Sequence, residues 1–192
     1  MEDFSTYTEV DAGGKITVAE NRLTAANLLR NENAYVYKDY GTDHFDALNT
    51  NFEFYCAAAS VVAGITGMGF TVSAVGNSYA WGTSDVGVHS YAETTLRLVR
   101  GNYVAYDASV ALTVDTLYYC TLSRTAGSDT ITCKIYDSAR TSLVDTLSVA
   151  GYGTGTKYRY LYGIASHNDT QTERWDGYFQ NLDTGEGGGF FF

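Results

Sequence analysis

An all-β fold, a two-sheet antiparallel sandwich, is what this sequence predicts, and three observations carry the prediction. The 192 residues include 17 Tyr and 9 Phe against 2 Met, a balance that suits sheets faced with large amphipathic rings better than helical bundles. Short runs of alternating polarity recur along the chain, separated by Gly, Asn, Asp and Ser, which is how half-buried strands joined by turns read. No sustained helical period and no repeat of fixed length is visible, which argues against bundles, propellers and solenoids. With 45% hydrophobic residues over this length, one buried core is expected.

Taken in order, residues 4–10 read as a first strand, turned at 11–14, and 15–18 as its successor. A two-residue turn, Glu20-Asn21, leads into 22–26; residues 23–30 have the propensity for one helical turn at most. The Tyr-rich run 34–39 is a strand. Phe45 and Ala47, then Phe52, Phe54, Cys56 and Ala58 after a bulge at 49–51, form an apolar face opposite Asp46, Glu53 and Tyr55. Residues 61–75 hold one long or two short strands, with Gly64, Gly67 and Gly69 marking bends or close backbone approach. Residues 76–92 are the segment core packing explains least. Runs 94–100 and 103–107 form a hairpin on Gly101-Asn102, 117–125 and 130–136 form another, and 143–149 completes a meander. Last come two aromatic runs, 158–165 and 175–182. In the second, Trp175, Gly177 and Phe179 share one face and Tyr178 and Gln180 the other, the pattern of a strand that closes a core.

Charge and cysteines narrow the function. The formal charge of −10 is spread along the chain without a basic stripe, so nucleic acid is not an expected partner. The longest apolar run, near Cys56 to Met68, is short and interrupted by glycine, so membrane insertion is not expected either. The Met-Glu-Asp-Phe start lacks signal-peptide character, and synthesis in the cytoplasm is the expectation, with a virion or other extracellular surface as the destination. Cys56, Cys120 and Cys133 fall on apolar strand phases and fit no metal-ligand spacing. They read as buried free thiols, against the alternative of a Cys120–Cys133 disulfide across a hairpin.

The run LYYCTLSRTAGSDTITCKIYDSARTSLVDTLSV from Leu117 and the ending RWDGYFQNLD resemble concanavalin A-like and laminin G-like lectin jelly rolls. The opening DFSTYTEVD together with that ending is similar to lectin-like domains of tailed-phage and metagenomic virion proteins. The resemblance spans about residues 3–183 and implies a concanavalin A-like jelly roll with first and last strands adjacent. It implies little about activity, because this sandwich hosts lectins, glycanases and inert structural domains. Glucanases of the family carry acidic residues at alternating strand positions. No such triplet occurs here, Asp43, Asp46 and Glu53 being spaced wrongly, and His44, His89 and His167 stand in no nucleophile motif. A non-enzyme is expected.

Three candidate sites remain. Asn77, Tyr79, Trp81, Asp85 and Tyr91 combine aromatic platforms with polar groups, as a glycan site requires, although Trp81 could equally fold back and cap the sandwich. Calcium is common on the rims of the resembled family, and Asn168, Asp169 and Asp176, beside His167, are weak candidates for it; no cofactor is expected. Residues 184–192 form a Gly-rich arm ending in Phe190, Phe191 and Phe192, an assembly arm expected to dock on a neighbouring copy or another virion protein, or back on its own sandwich. The expected function is a structural or decorating part of an assembly such as a phage virion, with glycan adhesion as an added role; the alternative is a free-standing carbohydrate-binding lectin.

The sequence makes one kinetic prediction. With no Pro among these residues, refolding followed by fluorescence lacks a minute-scale phase accelerated by prolyl isomerase, and finding one would contradict it.

Overall fold

The computed structural model describes residues 1–59, 65–91, 95–101 and 105–185, without the side chains of 58, 59 and 105–108. Its strands are β1 (Thr8–Val10), β2 (Ile16–Ala19), β3 (Arg22–Leu29), β4 (Tyr35–Asp39), β5 (Leu48–Ala59), β6 (Ile65–Thr71) and β7 (Val86–Tyr91), followed by β8 (Thr95–Arg100), β9 (Ala105–Ala111), β10 (Leu117–Arg124), β11 (Ile131–Asp137), β12 (Leu143–Val149), β13 (Tyr160–Ala165) and β14 (Arg174–Asp183). Among the described residues they form two antiparallel seven-stranded sheets. The front sheet runs β1-β4-β13-β6-β7-β8-β9 and the back sheet β12-β11-β10-β5-β14-β3-β2. This is the expected sandwich.

Alternation explains the best-formed elements. Phe52, Phe54 and Cys56 point into the core while Glu53 and Tyr55 face outward, and β10 pairs with β5 without interruption from Leu117↔Tyr55 to Arg124↔Leu48. The bulge expected at 49–51 is therefore absent from that pairing, and Phe45 instead makes an isolated bridge to Tyr158. Trp175 and Phe179 of β14 are buried as expected, stacked at 5.4 Å and joined by Phe54 at 6.0 and 5.3 Å. Outside, Tyr178 stacks on Tyr55 at 4.7 Å.

Several expectations need correction. The first strand is shorter than 4–10, because the Asp3 carboxylate accepts from the Ser5 N–H at 2.9 Å and its hydroxyl at 2.6 Å and caps a 3-10 turn over Phe4–Thr6. No helical turn forms in 23–30. β3 continues through it, with Asn27 at φ 52° shifting the apolar phase from Leu23 and Ala25 to Leu28. β14 is not adjacent to β1: it lies between β5 and β3 in the back sheet, whereas β1 pairs with β4 in the front sheet. A strand whose core face carries Trp175 and Phe179 belongs at the centre of a sheet. The N-terminal segment instead meets β14 through the Glu2 N–H, which donates to the Leu182 carbonyl at 2.6 Å. Part of the segment left unexplained, Val86–Tyr91, is a strand paired on both sides. Cys56, Cys120 and Cys133 are all buried thiols, so the hairpin disulfide is not formed; burial first, then the Cys133 neighbour, pushes the Cys120 thiol up. The expected features at 61–64, at Asn102 to Val104 and at 186–192 lie outside the described residues.

Two front-sheet glycines let back-sheet side chains rest directly on the backbone. A Cβ on Gly67 of β6 would lie 2.0 Å from the Phe179 ring, and one on Gly163 of β13 would lie 2.3 Å from Leu23. The β6 register is irregular between Thr66 and Met68, and there Gly67 faces the core. Gly67→Ala is therefore expected to lower stability in urea denaturation by ~1–3 kcal/mol, as overpacking does; an unchanged midpoint would show that Phe179 can retreat.

Candidate functional site

The outer face of the front sheet is covered by residues 72–85, a connection tied down at both ends. The Asp85 carboxylate accepts from the Val72 N–H at 2.9 Å and from the Gly82 N–H at 2.6 Å, so one side chain joins the start of the connection to its finish. Between them, Asn77 caps a 3-10 turn at Ser78–Ala80, its side-chain oxygen accepting from Tyr79 and Ala80. The Tyr162 hydroxyl accepts from the Val75 and Gly76 N–H groups at 3.2 and 3.3 Å. Trp81 then lies flat against the sheet: Cβ atoms on Gly69 and Gly87 would stand 2.1 and 2.9 Å from its ring. It packs on Tyr162 at 5.3 Å and edge-on to His89 at 5.8 Å. His89 is fully buried, and burial holds its imidazole down at about 3, so it is neutral.

Beside this cover is a cleft of about 370 Å³. Its floor is tyrosine: Tyr35 and Tyr37 of β4 with Tyr162 of β13, Tyr37 stacked on Tyr162 at 5.4 Å and Tyr35 at 5.9 Å from Tyr37. Ala74, Val75 and Gly76 line it as well, together with three asparagines, Asn33, Asn77 and Asn168, of which Asn77 has its side-chain oxygen engaged in the turn cap. Gly76, at φ +85°, carries the wall close to the Tyr35 ring, where a Cβ would be 3.5 Å away. No charged side chain lines the cleft among the described residues. Such a cavity offers flat apolar surfaces beside neutral donors and acceptors.

The expected glycan constellation is only partly assembled. Trp81, 2% exposed, and Asp85, fully buried, are structural: the indole fills the space over two glycines and the carboxylate clips the connection. The capping alternative for Trp81 is the one observed, although it caps the outer face of a sheet and not an end of the sandwich. Tyr79 is half exposed and leans on His167 at 4.9 Å. Tyr91 lies at the end of β7 under the Arg97 guanidinium at 3.3 Å. Asn77 reaches the cleft, and so does Asn168, which the sequence suggested only for calcium. The other calcium candidates are engaged elsewhere, Asp169 with Arg30 and Asp176 with the Asn27 N–H at 2.6 Å and with Arg174. No three His, Cys, Asp or Glu side chains converge as a metal site among the described residues. Tyr35, Tyr37 and Asn33 were missed; the signal was the phase of Tyr35-x-Tyr37 and Tyr160-x-Tyr162, which places four rings on one face.

No family model matches the sequence, and no curated protein sequence matches it. Solved structures do. Peanut lectin superposes with a TM-score of 0.50 at 12% identity, over 93% of this chain and 98% of the lectin. The exoplasmic/lumenal domain of VIP36, in its Ca2+- and Man3GlcNAc-bound form, gives 0.52 at 7%, over 96% and 87%. A mutant sialidase of Trypanosoma rangeli gives 0.54 at 10%, over 92% of this chain but 26% of the enzyme. This chain has the lectin-type jelly-roll fold. The lectin side of the sequence resemblance is thus upheld at the level of fold, and the virion side gains no support from these structures.

Asp85 supplies a pH test. Burial, outweighing the two N–H bonds, pushes its carboxyl up to about 6 from an ordinary 3.8. Its contribution to stability is therefore fully present below about pH 4 and lost as pH rises through about 6. The stability difference between wild type and Asp85→Asn should shift against wild type by roughly 2–3 kcal/mol across that interval; a difference independent of pH would contradict it.

Proposed function

We propose that this chain is a carbohydrate-binding, lectin-like module whose ligand seats in the cleft on the outer face of the front sheet. The observation that carries the reading is the pairing, in one uncharged cavity, of the Tyr35 and Tyr37 rings with the amides of Asn33, Asn77 and Asn168. A pyranose has an apolar face that packs on aromatic rings and a rim of hydroxyls that amides both donate to and accept from. The floor is preformed: Tyr37 rests on the buried Tyr162, whose hydroxyl is fixed by the Val75 and Gly76 N–H groups. Ordering costs on binding are correspondingly small.

Glycoside hydrolysis would need two carboxylates flanking the bound sugar, and the described lining supplies none. A virion-decoration role rests on Phe190, Phe191 and Phe192, which lie outside the described residues, and so has no described site to set beside this one.

A glycan array probed with wild type, Tyr37→Ala and Asn33→Ala, each checked for folding by circular dichroism, tests the reading. Wild type is expected to bind at least one glycan. Tyr37→Ala should weaken it more than about tenfold, as loss of an aromatic anchor does, and Asn33→Ala by a smaller factor. No wild-type binding, or binding that both variants retain, would contradict it.

A further inference from the structure

The tyrosine floor does not stop at the cleft. Along β4 and β13 the cross-strand register sets Tyr37 opposite Tyr162 and Asp39 opposite Tyr160, so the outward face continues from Tyr35 through Tyr37 to Tyr160. The three rings are each partly exposed, with centroid steps of 5.9 Å from Tyr35 to Tyr37 and 6.1 Å from Tyr37 to Tyr160, each step comparable to one sugar residue. The wall continues as well, since Tyr160 pairs with Thr71 and the connection leaves β6 there, with Val72 exposed.

The far ring is held in place. The Arg159 guanidinium lies 4.9 Å from the Tyr160 centroid and donates two bonds of 2.7 Å to the Asp39 carboxylate. This pair neutralises itself and holds Asp39 well below the ordinary carboxylate range, at about 2, so it leaves no unbalanced charge to attract an ionic ligand. The chain's net charge of −10 adds a long-range bias against anionic glycans.

We infer that the cleft, floored by Tyr35 and Tyr37, is one end of an extended site that continues over Tyr160, and that the ligand is a linear, uncharged oligosaccharide and not a single terminal sugar. This rests on the carbohydrate-binding reading above. A lone sugar would use only the cleft; a longer chain adds a stacking contact on Tyr160.

The test is calorimetry with homologous neutral series, chito-, manno- and gluco-oligosaccharides of one to four units, against wild type, Tyr160→Ala and Tyr160→Phe. In whichever series binds, affinity should rise roughly tenfold or more between one and three units and then level. Tyr160→Ala should remove most of the gain at the third unit and leave the one-unit affinity, or the two-unit affinity where that is the shortest that binds, within about twofold. Tyr160→Phe keeps the ring and should keep the gain. Binding independent of length, equal weakening of all lengths by Tyr160→Ala, or preference for sialylated or sulfated chains on an array would overturn the extended site while leaving a sugar-binding cleft. Failure of wild type to bind any glycan would overturn both.

Discussion

The front sheet is both a core wall and the floor of the tyrosine-lined cleft because its middle strands lack side chains where large rings must enter. From the core side Phe179 reaches β6 over Gly67, and from the outside Trp81 lies over Gly69 and Gly87. A Cβ at any of these positions would meet a buried ring, well inside contact distance, so the spacing of the sheets and the seating of the cover depend on the same omission. Phe179 gathers Trp175, Phe54 and Phe52 into one aromatic cluster. Trp81 brings Tyr162 and His89 into a second, smaller one on the opposite face. Residues 72–85, clipped by Asp85 and fixed through Tyr162, then have a defined position against β4, and the cleft is the space left beside them.

Much of the fold was legible. β5, β10 and β11 alternate cleanly, and β14 as far as Phe179, because one face meets the core and the other water, as Phe52, Phe54 and Cys56 against Glu53 and Tyr55 show. β7 was not legible. Val86, Gly87, Val88, His89 and Ser90 are all buried, the valines in the core and Gly87 and His89 beneath Trp81. A strand covered on both faces has no polarity alternation to read, and its Gly, His and Ser looked like loop. The place of β14 was misjudged for a related reason: a strand that closes a core in sequence order need not lie beside the first strand in space.

The residues that line the cleft were legible only in part. Polar and aromatic residues between 76 and 92 did mark the region, and Asn77 does face the cleft, yet the largest ring there is buried and its acid is a structural clip. The proposed binding surface comes from Tyr35, Tyr37 and Tyr160, each of which reads locally as an ordinary outward residue opposite Val36 or Leu161. Only the cross-strand register, Tyr37 to Tyr162 and Tyr160 to Asp39, makes them a continuous floor. Asn168, suggested as a metal ligand by turn chemistry, supplies an amide to the same cavity from the connection between β13 and β14.

The most direct measurement is amide chemical-shift mapping of the isotopically labelled protein titrated with a glycan that it binds. If sugar occupies the cleft, the perturbed amides centre on Tyr35, Tyr37, Gly76 and Asn77, with the outer face of the back sheet around Tyr55 and Tyr178 unaffected. Perturbations confined to the back sheet, or to the polar surface around Arg124 and Thr132, would contradict carbohydrate binding on the tyrosine floor.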